Sequence, residues 1–353
     1  MKLQTPEWWY SRERSQPVLR ALLTPPSWIW SAVTARRIAR ATPADPGVPV
    51  VCVGNITMGG AGKTPIVRAL AERLAQAGLS VHLLSRGYGG RLPGPVRVNP
   101  EVHTAADVGD EPLMLARDYP VWVARDRPAG AHAAAGAGAQ VIVMDDGHQN
   151  PSVKKSVSLV VVDGETRNEE WPFGDGRVFP AGPMREPLAK GLARASAAVI
   201  LLPADLPVAE PGLRRTLSSV PVMTAHLRAA APPPAGPQVG FAGVAKPWKV
   251  ERALKAAGCE LADFAPFPDH APYDEAVLKR LADRAAQFEA GLVTTEKDWV
   301  RLPPDWRARV AAWPVKASFD DAAALDELLA GILPARPSPP PSARKPSSPR
   351  RGK

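Results

Sequence analysis

An apolar run, Val50-Val51-Cys52-Val53, leads into Gly54-Asn55-Ile56-Thr57-Met58-Gly59-Gly60-Ala61-Gly62-Lys63-Thr64-Pro65, and a helical pattern starting at Ile66 follows. Few folds accommodate a strand, a glycine-rich turn and a helix in that order. Glycines let backbone N–H groups close on an anion, and the helix N-terminus adds partial positive charge. Thr57, Gly59, Gly60, Ala61, Gly62, Lys63 and Thr64 are the candidate phosphate cradle. Lys63 reaches the terminal phosphates and the Thr64 hydroxyl takes a place on Mg²⁺. One position departs from the general G-x-x-x-x-G-K-[ST] pattern, where Thr57 replaces the first glycine.

Around this loop, strand-like and helix-like stretches alternate from Val48 onward, as in a doubly wound, mainly parallel α/β sheet. Strands are expected at 49–53, 80–84, 121–124, 140–144, 157–162 and 198–202, with helices at 63–77, 110–118 and 126–137. The apolar run at 140–144 ends in Asp145-Asp146. Strand C-terminal ends face the nucleotide in such sheets, which puts these acids near Mg²⁺. An Asp-Gly turn at Asp146-Gly147 explains the same residues without a ligand. After the second strand comes Ser85-Arg86-Gly87-Tyr88-Gly89-Gly90, where Arg86 suits a phosphate and Tyr88 can stack or donate. Asp110-Glu111 stands at a helix start, either as a cap with dipole-favoured acids or with Asp110 as acceptor of a hydroxyl proton. A proline-rich loop carries Arg185-Glu186.

The polyproline stretch at 229–237 reads as a linker. A smaller α/β unit is expected at 238–333, after a larger one at 48–228. It has strands at 238–242, 260–265, 291–295 and 309–315 and helices at 247–257 and 274–288. Asp269-His270 lies in one of its loops, and Thr294-Thr295-Glu296-Lys297-Asp298 follows a short strand, placed to cap a helix or bind phosphate. From 334 to 353 the chain is basic, rich in Pro and Ser, and expected to be disordered.

Net charge is +9, yet residues 1–47 carry +4 and residues 335–353 carry +6, leaving the body at −1. That split speaks against a nucleic-acid groove and for anionic-surface contacts at the termini. Four of the ten tryptophans fall at Trp8, Trp9, Trp28 and Trp30. Pro17 and Pro25-Pro26 are expected to cut this arm into two short helices, the second running from Ser27 to Arg40. Its apolar start and arginine-rich end suit an interfacial membrane anchor; packing on the domain with solvated arginines is the other reading. No apolar run reaches the ~18 residues of a spanning helix. Cys52 and Cys259 form no metal spacing and no disulfide framework, which fits a reducing compartment. From the residues alone, three classes stay open: a lipid-directed kinase, a soluble small-molecule kinase or ligase, and a nucleotide-hydrolysing switch or chaperone.

Six motifs in register narrow this. The loop at 54–65, Ser85 to Gly90, Val108-Gly109-Asp110-Glu111-Pro112, Asp145-Asp146-Gly147-His148-Gln149, Arg185-Glu186-Pro187 and Thr294 to Asp298 together resemble the tetraacyldisaccharide 4′-kinase family. In that family, too, Thr stands where the general loop has its first Gly. The resemblance implies ATP- and Mg²⁺-dependent phosphorylation of the 4′-hydroxyl of a tetraacyldisaccharide 1-phosphate at the cytoplasmic face of the bacterial inner membrane, making lipid IVA. It implies two α/β domains with the site between them and a membrane-dipping arm; no nucleic acid is expected from the charge split, and no obligate protein partner is evident from the sequence. By resemblance, Asp110 is the base, His270 its partner and Lys63 catalytic. Thr64, Asp145, Asp146, Gln149 and Glu186 surround the metal, and Asn55, Arg86, Tyr88, Glu111 and Arg185 meet substrate. Ala271 follows His270 where the family usually carries a second histidine.

Overall fold

The computed structural model describes residues 6–10, 16–166 and 171–333; the basic tail lies outside them. Strand β1 (Val50–Gly54) occupies the middle of a nine-stranded sheet. In chain order the others are β2 (Val81–Ser85), β3 (Val96–Arg97), β4 (Val121–Val123), β5 (Val141–Asp145), β6 (Val157–Asp163), β7 (Ala197–Pro203) and β8 (Val222–Ala229). Four more strands, β9 (Gln238–Ala242), β10 (Leu261–Pro266), β11 (Gly291–Thr295) and β12 (Val310–Trp313), form a second sheet before β13 (Val315–Phe319) returns to the first. The large sheet runs β13-β8-β7-β6-β1-β5-β2-β4-β3, and the small one β10-β9-β11-β12. Pairs within the large sheet are parallel except at its two ends, where β13 and β3 run antiparallel. β1 lies between β6 and β5, so its C-terminal end opens at a reversal of strand order, where α/β sheets take their ligands.

Sequence explains the layering. Val50, Val51, Cys52 and Val53 are buried on both faces of β1, as a sheet covered on both sides by helices requires. Helix α2 (Lys63–Gln76) buries Ile66, Val67, Leu70, Ala71 and Leu74, a helical spacing of apolar residues that fixes one face on the sheet. Each of the Ile, Val and Leu side chains contributes about 1.5–3 kcal/mol when removed from water.

Two expectations change. Helix α1 (Pro17–Arg40) runs straight through Pro25 and Pro26 instead of breaking there. The prolines deprive the Ala21 and Leu22 carbonyls of amide partners, but both residues are exposed and water can serve them. Hydroxyls assist the same turns: Thr24 Oγ1 donates to Arg20 O at 2.7 Å and Ser27 Oγ to Leu23 O at 2.9 Å. The second change concerns 309–315, expected as one strand of the smaller unit. Pro314 divides it, and β13 pairs with β8 from Ala229↔Val315 to Ala225↔Phe319, which ties the C-terminal segment to the larger sheet. The β8 strand itself escapes a pattern search because His226 and Arg228 interrupt its apolar run.

Candidate active site

The glycine-rich loop leaves β1 at Gly54, where a Cβ would lie 2.4 Å from that of His148. Positive φ at Gly59 (92°) and Gly62 (74°) turns the backbone toward α2. Thr57 bridges to Met184, and Met58 N donates to Pro183 O at 2.7 Å. Extended pairing of this kind explains why a β-branched residue suits the missing-glycine position. Asn55, expected to meet substrate, is instead fully buried beneath the loop. Its amide donates to Thr57 O at 2.8 Å, and its Oδ1 accepts from Lys63 Nζ at 3.5 Å.

Lys63 also stands 3.6 Å from Asp146 Oδ1, and Arg185 Nη1 donates to the same oxygen at 2.9 Å. The Asp146 side chain is 42% exposed; the surrounding protein still works against its ionisation, but Lys63 and Arg185 outweigh this and hold the carboxyl down to about 2. Its neighbour behaves oppositely. Asp145 is 2% exposed, and burial together with the Glu111 charge pushes it up to about 7 despite Lys63. Asp145 Oδ1 has no hydrogen-bond partner among the described residues. A buried, unsatisfied carboxylate oxygen next to a second carboxylate, with the half-buried Thr64 hydroxyl following Lys63 in the loop, is a hard-oxygen set that fits Mg²⁺. Mg²⁺ takes one or two carboxylates and completes its shell with water and phosphate, so no larger acidic cluster is needed.

The other two expected metal neighbours are already engaged. Both oxygens of the buried Glu186 accept from Arg194 Nη2, at 2.7 and 2.6 Å, and Gln149 Nε2 donates to Glu186 at 3.1 Å and to Asn55 O at 2.8 Å. They brace the loop from the side. Arg127 was not legible as a site residue. It starts a helix after the Asp126 cap, lies buried, and donates to Ala124 O at 2.9 Å and Asp145 O at 3.4 Å. Burial pushes it down to about 10, while the charges of Asp145 and Asp146 resist that.

On the other side of the cleft, Gly109 (φ 91°) turns the chain into the helix Asp110–Leu115. Gly109 holds the cap position, so Asp110 is the first residue of the helix. Its side chain is 5% exposed, with Oδ2 accepting from His270 Nδ1 at 2.8 Å and Oδ1 from Glu111 N at 3.0 Å. Burial opposes the charge, but the His270 hydrogen bond and the Lys297, His270 and Arg301 charges hold Asp110 down to about 2. An ionised Asp110 fixes the histidine tautomer with its proton on Nδ1. Tyr88, 64% exposed, places its ring 5.6 Å from that of His270, and Arg86 is exposed nearby in sequence. Lys297 Nζ lies 3.2 Å from Glu111 and 3.6 Å from Asp269, and despite burial these acids push its pKa up. Glu111 therefore acts on both halves of the cleft, pairing with Lys297 and raising Asp145.

A family model described as tetraacyldisaccharide-1-P 4′-kinase matches residues 19–334. The chain is 72% identical over 333 residues to the tetraacyldisaccharide 4′-kinase of Phenylobacterium zucineum (strain HLK1), covering 94% of this chain and 100% of the relative. It is 68% identical to that of Caulobacter vibrioides (strain NA1000 / CB15N), covering 94% and 99%. Its fold is similar to the crystal structure of "apo" form LpxK from Aquifex aeolicus in complex with ATP, with a TM-score of 0.68, 23% identity, and coverage of 89% of this chain and 99% of that one.

Proposed function

Because the chain belongs to the tetraacyldisaccharide 4′-kinase family, we propose that it transfers the γ-phosphoryl group of ATP to the 4′-hydroxyl of a tetraacyldisaccharide 1-phosphate, giving lipid IVA for lipid A. The observation that supports this reading best is the Asp110–His270 pair, a buried ionised carboxylate oriented by histidine and contributed from both sheet units. A switch or a simple nucleotide hydrolase has no use for a base directed at a sugar hydroxyl.

Phosphoryl transfer needs placement and charge neutralisation more than covalent chemistry. Amides of Gly59 to Thr64 and the Lys63 ammonium take the β- and γ-phosphates, with Lys63 exchanging its Asp146 contact for phosphate. Asp145, Asp146 and Thr64 would hold Mg²⁺, which supplies positive charge against the transferring group when bound. Asp110 accepts the 4′-hydroxyl proton, and His270 keeps the carboxylate aimed. Arg86, Tyr88 and Glu111 flank the acceptor. Arg185 reaches substrate charge only by giving up Asp146. Incubation with γ-³²P-ATP, Mg²⁺ and tetraacyldisaccharide 1-phosphate in detergent tests the proposal. Label should enter the lipid, whereas release as inorganic phosphate at one rate with or without lipid would contradict it.

Helix α1 supports a place for the reaction. Val18, Leu22, Ile29 and Val33 are 61–73% exposed and recur at helical spacing on one face, ahead of Arg36, Arg37 and Arg40. Among the described residues no helix is long and apolar enough to cross a membrane. The exposed stripe is read as lying in the surface of an anionic bilayer, at the cytoplasmic face of the inner membrane, with arginines at the headgroups. The opposite face is fastened to the protein: Ser27 Oγ accepts from Ala181 N at 3.1 Å, and Trp30 Nε1 donates to Arg185 O at 2.9 Å. The doubly substituted Leu22→Glu/Ile29→Glu protein should lose co-flotation with anionic vesicles while binding ATP normally. Undiminished flotation would reduce α1 to a packed arm.

A further inference from the structure

Hydrogen bonds from Arg301 and to Gly243 fix the loop that carries His270. This residue holds φ at 57°, a left-handed conformation that a non-glycine residue adopts only under constraint. Its amide donates to Gly243 O at 3.1 Å, at the end of β9. Arg301 reaches the same place from the other sequence direction. Its Nη1 donates to Ala271 O at 3.0 Å, the carbonyl just after His270, and its Nη2 to Gly243 O at 2.9 Å. The guanidinium thus joins both anchors of the histidine backbone. Behind it lies Asp298, with no exposed surface. Asp298 Oδ1 accepts from Gly243 N at 2.9 Å, from Tyr273 Oη at 2.7 Å and from Arg301, and Oδ2 accepts from Thr295 Oγ1 at 2.6 Å. A Cβ on Gly243 would stand 2.9 Å from Tyr273 Oη and 3.2 Å from Arg301 Nη2, so the approach requires glycine.

We propose that Arg301, held by Asp298, is a positioning residue for the reaction. It locks the 268–271 loop in the backbone conformation that aims His270 Nδ1 at Asp110. The inference rests on the reading of Asp110 and His270 as base and partner. Arg301 Nε also lies 3.8 Å from Asp110 Oδ2, so its charge alone is the competing explanation. The two roles separate chemically, because a lysine keeps the charge but its single ammonium cannot reproduce a planar fork across two carbonyls and a carboxylate.

The test is a double-mutant cycle of kcat for lipid phosphorylation, with KM for ATP and melting temperature measured alongside. Arg301→Gln and Arg301→Lys should each lower kcat on the order of tenfold to hundredfold, the scale of a misplaced catalytic group, with KM for ATP little changed. In a His270→Ala background, Arg301→Gln should cost less than about twofold more, since its effect passes through the histidine. Equal losses in both backgrounds, or a fully active Arg301→Lys, would overturn the proposal. Should Arg301→Gln unfold, Tyr273→Phe removes one hydroxyl from Asp298 and puts the same question: a loss that vanishes without His270 supports positioning, and one that persists overturns it. A His270→Ala protein with undiminished kcat would remove the base-pair reading itself and this inference with it.

Discussion

Around the glycine-rich loop the interacting side chains described here, Asn55, Lys63, Asp146, Gln149, Arg185 and Glu186, all come from the nine-stranded sheet and its connections. Around Asp110 the partner is His270, 160 residues further on and carried by the four-stranded unit. These side chains of the proposed donor half thus come from one sheet, with its cations resting on its own acids. The acceptor half exists only when the two units sit correctly against each other. Charge pairs span them beside the cleft: Lys249 Nζ lies 2.6 Å from Asp163, and Arg252 Nη2 lies 2.5 Å from Glu165. Nearby, a Cβ on Gly60 would come within 3.1 Å of the Ala245 side chain, so the loop itself touches the smaller unit. On the proposed reading, one half binds the nucleotide by local geometry, and the other selects the acceptor by assembly.

The largest effect should come from the donor half. Lys63→Ala removes the positive charge beside the loop and should lower kcat on the order of 10²–10³-fold, the range for losing one preorganised electrostatic contact. Steady-state kinetics on the lipid would check it, and a loss below tenfold would show that the lysine is only Asp146's counter-ion. A smaller effect, in stability, isolates the acceptor half. Asp110 is held down to about 2 in the folded chain, below the ordinary carboxylate value. Its pairing therefore stabilises the fold above that ordinary value, and the contribution is lost as pH falls through about 2. Melting of the native and Asp110→Asn proteins should show their stability gap narrowing by about 2 kcal/mol between pH 5 and pH 2. A gap that stays constant would mean that His270 does not stabilise the ionised form.

The same contrast governs what the sequence could reveal. Lys63, Thr64, Asp145 and Asp146 follow from strand ends and a loop of fixed spacing, which are local quantities. Asp110 by itself reads first as a helix cap; its contact with His270, across a long sequence separation, is what supports the proposed base. Arg127 and Arg301 gave no signal, because a single arginine becomes informative only when its burial and partners are known. Thr295 does cap the helix Glu296–Trp299, as its stretch suggested, by accepting from Asp298 N at 3.0 Å. What the stretch could not show is that Asp298 serves the His270 loop. Asn55 and Glu186, expected to meet substrate and metal, are buried and already engaged, Asn55 by Thr57 O and Lys63 and Glu186 by Arg194. At the N-terminus Pro25-Pro26 looked like a break, but exposed carbonyls and nearby hydroxyls let the helix continue.

Single-turnover transfer by Asp110→Ala, measured together with its affinity for ATP, tests the division between donor and acceptor halves most directly. The account predicts ATP affinity close to that of the native protein and a transfer rate to the 4′-hydroxyl lower by roughly 10²-fold or more, as for loss of a general base. Transfer at the native rate, or a fall in ATP affinity that matches the fall in rate, would contradict it.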